Sequence, residues 1–98
     1  MQIDWGKEIE DRRNLLLVDL QELLKIESVR DETKATAKTP FGPGPYAALA
    51  EFLKLAQRDG FKTVNVDNVA GHIEYGTGSE TLGILAHVDV MPAGKGWD

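Results

Sequence analysis

Residues 81–98 read TLGILAHVDVMPAGKGWD and place a histidine and an aspartate two positions apart at the end of an apolar run. Side chains alternate along an extended chain, so His87 and Asp89 are expected on one face with their backbones about 6.6 Å apart. A neutral imidazole is a good Zn²⁺ ligand, and a metal-bound histidine usually gives its other ring N–H to a carboxylate or carbonyl that fixes tautomer and orientation. Asp89 is placed to be that group. Spacing alone does not separate this reading from a buried histidine satisfied by a neighbouring aspartate. Polar chemistry at the tip of an otherwise apolar strand, where an unpaired charge is costly, strengthens the functional reading but leaves the structural pair open.

The elements that must position this pair follow from periodicity. Over 5–27 the residues Ile9, Leu16, Leu20, Leu23 and Leu24 recur at helical spacing among charged residues, predicting an amphipathic helix with Asp4 as its cap. Residues 28–44 lose that period and run into FGPGP, residues 41–45, which predicts a long exposed loop. A second helix is expected from Pro45, with Leu49, Phe52, Leu53 and Ala56 as its apolar stripe and Gly60 as its stop. The period then changes to two. Phe61, Val64 and Val66, then Ile73 and Tyr75, predict two short strands joined at Asp67-Asn68. After a Gly76-Thr77-Gly78 turn, residues 82–90 are apolar on both faces, as expected of a central strand covered by helices. Pro92 and Gly94 suit the turn that ends it. The expected fold class is α/β, a mixed β-sheet with flanking helices and His87 and Asp89 at a strand's carboxyl end, where open α/β sheets gather function.

Composition narrows the function classes. The chain has 98 residues, a net charge of −5, 42% hydrophobic and 28% charged residues, and no cysteine. Nucleic-acid backbone binding needs clustered Lys and Arg, so this acidic balance argues against it. The absence of cysteine excludes disulfides and thiolate metal sites and is compatible with a reducing cytoplasm. The longest apolar run is far too short to cross a bilayer, and the acidic start lacks the layout of a signal peptide. The expectation is a cytoplasmic chain with no membrane partner and no second domain.

The string LAHVDVMPAGKGWD resembles the metal-binding signature of the M20 family of dinuclear zinc metallopeptidases. It is most similar to the dipeptidase branch of carnosinase type, which includes the bacterial peptidase V. The segments LLKIESV, FGPGPYAALAEFLKLAQRDGF and NVAGHIEYG resemble that branch too, so the likeness spans most of the chain. The resemblance implies that 1–98 is the N-terminal portion of a metallopeptidase catalytic domain acting on dipeptides or short peptides. It makes His87 a ligand of one of two Zn²⁺ ions and Asp89 the catalytic carboxylate that steadies the imidazole. Imidazole and carboxylate sites also accept Mn²⁺ or Co²⁺. The family's bridging aspartate, general-base glutamate, further carboxylates and distant histidine have no counterpart here. One ligand is too few for a zinc site, so these 98 residues alone are expected to be inactive.

Plainer readings attach to other residues. His72 has Glu74 beside it, yet the resemblance assigns it no metal role, and a strand histidine with a solvated carboxylate is the expectation. The paired glycines before residue 82 lack the third glycine and following helix of a dinucleotide fingerprint and read as a turn. Trp97 fits either a pocket wall or a loop base. The alternative to a peptidase is a noncatalytic α/β binding or assembly module in which His87 and Asp89 form a structural pair.

Overall fold

A computed structural model describes residues 2–97. Helix α1 spans Trp5–Leu24, helix α2 Pro43–Arg58, strand β1 Lys62–Val66 and strand β2 Ala70–Glu74. The Asp4 carboxylate caps α1 by accepting from the Lys7 N–H at 3.1 Å, satisfying one of the donors that every helix start leaves free. The helix ends three residues earlier than its sequence pattern implied, with Lys25 as its C-cap. Exposed pairs such as Lys7–Asp11 and Lys25–Glu22 line it, each worth about 0.2–0.5 kcal/mol. None of its residues is buried. Its apolar stripe is therefore formed but largely uncovered, with Trp5, Ile9 and Leu16 all exposed.

Helix α2 begins at Pro43, two residues before the expected start. Gly42 is its N-cap at φ +96°, a conformation that L side chains rarely adopt. Prolines at 43 and 45 fit the first turn because no intrahelical partner awaits their missing N–H groups. Ala48, Leu49, Leu53 and Ala56 of this helix are the buried apolar residues, while Phe52 stays 38% exposed. The loop before α2 is more ordered than its composition suggested. Asp31 caps a short 3₁₀ turn, Glu32–Lys34, and the Asp31 N–H donates to the Phe41 carbonyl at 3.0 Å. The Arg30 guanidinium lies 4.8 Å from the Phe41 ring centre, a cation–π contact.

β1 and β2 form the expected antiparallel hairpin, in the register Lys62↔Glu74, Val64↔His72, Val66↔Ala70. Asp67 and Asn68 both have positive φ, at 56° and 61°. Two such residues match the right-handed twist of the flanking strands, and Asn and Asp tolerate the conformation best after glycine. Gly71 brings β2 against α2, since a Cβ there would meet Leu49 and Leu53 side-chain atoms at 3.1 and 3.2 Å. By alternation His72 and Glu74 then point away from α2.

The expected central strand is corrected by the structure. Residues 82–90 form no strand, and Leu82, Ile84 and Leu85 are each at least 86% exposed. Their link to the rest is one isolated parallel bridge, Val29↔Val90. Of the mixed sheet, the described residues contain a two-stranded antiparallel part and this single parallel bridge. A segment apolar on both faces needs cover on both sides and a partner along its edges; α2 is already occupied by the hairpin. The Cα radius of gyration is 16.4 Å, against about 13 Å for a closed domain of this length. The excess accords with an α1 that buries no residue and an 82–90 segment that stands open to solvent.

Candidate metal-ligand pair

His87 and Asp89 lie on the extended segment that the Val29–Val90 bridge pins at one point. Their side chains are 83% and 54% exposed, so neither group is enclosed by its neighbours among the described residues. The structure does bring the two groups together. His87 Nδ1 is 3.6 Å from Asp89 Oδ1 and 2.9 Å from the Asp89 main-chain oxygen. A carbonyl oxygen can only accept, so the shorter contact is a hydrogen bond when Nδ1 carries the proton. That tautomer leaves the Nε2 lone pair free for a metal ion.

The pair meets one requirement of a zinc site and leaves the others open. The donor chemistry fits an imidazole ligand with its second nitrogen braced, but zinc needs three or four protein ligands. Among the described residues, no group of three His, Asp or Glu side chains is placed to hold an ion.

His72 and Glu74 form a second pair on β2, with Nδ1 3.5 Å from Oε1. Lys62, opposite Glu74 in the register, approaches the same carboxylate at 3.9 Å. Trp97 turns back to donate its indole N–H to the Ala93 carbonyl and is 78% exposed, closing a loop at the chain's end.

Two features near His87 carry no signal in the residue pattern. The nearest acceptor to its ring is a main-chain carbonyl, a group that every residue has. The segment that holds Val90 is 28–29, some sixty positions upstream in a stretch that reads as loop; Ser28, only 3% exposed, accepts from the Val90 N–H at 3.4 Å.

Electrostatics elsewhere link the helices. Arg58 on α2 forks onto Asp19 of α1 at 2.9 and 2.8 Å and also binds Asp59. The hydrogen bonds from Arg58 hold the Asp19 carboxyl below the usual carboxylate range against the opposing effect of desolvation, with a smaller contribution from the Arg58 charge.

No family model matches the chain. Over 94 residues, 96% of its length, it is 52% identical to a Staphylococcus haemolyticus protein named "putative dipeptidase". Proteins so named from Staphylococcus epidermidis and Staphylococcus aureus are 53% and 51% identical over the same length. The chain spans 20% of each of these curated relatives. It is thus similar, along nearly its whole length, to about one fifth of proteins named as dipeptidases.

Proposed function

We propose that this chain is the N-terminal part of a dipeptidase of the M20 type, a cytoplasmic zinc-dependent hydrolase of dipeptides and short peptides. The observation that carries the reading is identity of 51–53% over 94 residues to proteins named as dipeptidases, across a stretch that includes His87 and Asp89. The exposed His87 ring, with Nδ1 held by the Asp89 carbonyl, supports it. On this reading His87 supplies one imidazole ligand, and Asp89 keeps that imidazole in the Nδ1–H tautomer through its carbonyl and its carboxylate. When bound, a pair of zinc ions supplies a water of lowered pKa and polarises the scissile carbonyl. Mn²⁺ or Co²⁺ can replace Zn²⁺ at such donors. The remaining ligands and the proton-relaying carboxylate belong to the four fifths of the relatives' length that this chain does not span.

The test is a dipeptide hydrolysis assay on the full-length protein, before and after metal removal. Activity abolished by a chelator and restored by zinc is expected, together with no turnover above background by the 98-residue chain alone. Hydrolysis that survives complete metal removal sinks the zinc reading and favours the noncatalytic role of the His87–Asp89 pair.

A further inference from the structure

The peptide unit between Asp89 and Val90 is bonded at both ends. Its carbonyl oxygen faces His87 Nδ1 at 2.9 Å, and its N–H donates to the Ser28 carbonyl at 3.4 Å. One rigid plane therefore links the imidazole to the 27–31 segment, because a trans peptide cannot rotate its C=O without its N–H. That segment is in turn pressed by the first turn of α2. A Cβ on Gly44 would lie 2.0 Å from the Glu27 carbonyl oxygen and 3.2 Å from the Ser28 Cα. Contacts below 3.0 Å are essentially never seen for a Cβ, so a methyl group there forces the 27–28 backbone and Gly44 about 1 Å apart. The Ser28–Val90 bond is already beyond the usual 2.7–3.2 Å range for N–H···O contacts, about 3 Å in the mode, and has no slack for such a shift.

We infer that Gly44 and the Val90 N–H are positioning elements for His87: the bare first turn of α2 sets Ser28, Ser28 sets the Asp89–Val90 peptide, and that peptide fixes the imidazole as the Nδ1–H tautomer with Nε2 outward. The inference rests on the reading of His87 as a metal ligand only for its functional meaning; the tautomer itself is independent of any metal. It also shifts part of the steering from the Asp89 side chain to its backbone, which no substitution of Asp89 alone removes.

The experiment uses the full-length protein, free of metal and labelled with ¹⁵N only in histidine, at a pH where imidazoles are neutral. Two-bond couplings from ring carbons' protons to the ring nitrogens report which nitrogen of His87 is protonated. Zinc affinity is measured in parallel by chelator competition. The expected result is one Nδ1–H tautomer in the parent protein. In Val90→Pro, which deletes the bridging N–H and leaves His87, Asp89 and α2 intact, the Nε2–H form gains and zinc affinity falls by about tenfold to a hundredfold, the usual cost of losing a ligand's support. Gly44→Ala is expected to do the same from a distance. An unchanged backbone amide resonance of His72, inside the hairpin, confirms that a variant is folded, and Val90→Pro decides the matter if Gly44→Ala does not fold. A folded Val90→Pro protein that keeps the Nδ1–H tautomer overturns the inference, even if zinc still depends on His87. A tautomer that shifts while zinc affinity stays constant supports the relay and instead removes His87 from the metal site.

Discussion

His72 and His87 sit in the same local pattern, with a carboxylate two positions on and a ring nitrogen 3.5 or 3.6 Å from it. What differs is everything around that contact. His72 lies within a paired strand, and the carboxylate it approaches also has Lys62 at 3.9 Å, a cation that shares its charge. His87 lies on a chain pinned at a single bridge, its ring held at 2.9 Å by a main-chain oxygen, and Asp89 has no Lys or Arg within 4 Å among the described residues. A histidine and an acid two residues apart can thus approach each other in settings as different as a paired strand and a bare extended segment. An imidazole braced by a backbone acceptor beside an unshared carboxylate is the more demanding arrangement, and it is the one that leaves a nitrogen for a ligand.

The comparison breaks most sharply on the histidines themselves. In the full-length protein, His87→Ala is expected to lower dipeptide hydrolysis by at least about a hundredfold, since losing a ligand costs no less than losing its support. His72→Ala is expected to leave the rate within about twofold, the ordinary result for an exposed side chain. Equal effects at the two positions would erase the distinction. The carboxylates give the next contrast. Asp89→Asn keeps the shape and removes the charge beside the imidazole, and chelator competition is expected to show zinc affinity reduced by about tenfold to a hundredfold, whereas Glu74→Gln leaves it unchanged. If Asp89→Asn is also neutral, the backbone carbonyl alone braces the ring.

Stability supplies a smaller contrast between the regions that carry the two histidines. Leu53→Ala removes a buried contact of α2 with the hairpin and is expected to cost about 2–3 kcal/mol in denaturant unfolding. Leu85→Ala, at a fully exposed position of the 82–90 segment in this chain, is expected to change it by less than about 0.5 kcal/mol. The smallest effect concerns a third carboxylate. Asp19, held below its usual range by Arg58, is ionised in the folded chain at pH values where the unfolded chain takes up a proton. Its support for the α1–α2 contact is therefore fully present above the ordinary carboxylate pKa and is lost as pH falls through the lower folded value. Amide exchange in α1 is expected to accelerate over that acidic window and by less in Asp19→Asn.

Local physics made the helices and the hairpin readable. Asp4 before an amphipathic run, the 49, 53, 56 stripe and the Asp67-Asn68 corner all act within a few residues of the structure that they specify. The start of α2 was misplaced because Gly42-Pro43-Gly44-Pro45 has the composition of a loop, and only the fit of Pro43 to a first turn reveals the helix. The 82–90 segment failed for a different reason. Its two apolar faces state a requirement for neighbours, and a requirement is not met by the sequence that expresses it. At the site, the residue types and their shared side could be anticipated. The Asp89 carbonyl and the Ser28 contact could not, since main-chain groups look alike at every position and the partner lies far off in sequence.

The bare 82–90 segment has a consequence for the life of the polypeptide. Six of its residues, from Leu82 to Ala86 with His87, carry no formal charge at neutral pH, no proline and mostly apolar side chains, and stand open to solvent. Short stretches of that kind are those that stack edge to edge between molecules. Newly synthesised chains should therefore be most prone to self-association at this point, and to recruit chaperones here. A charged replacement at Leu85 is the simplest change for keeping the isolated 98 residues dispersed in solution.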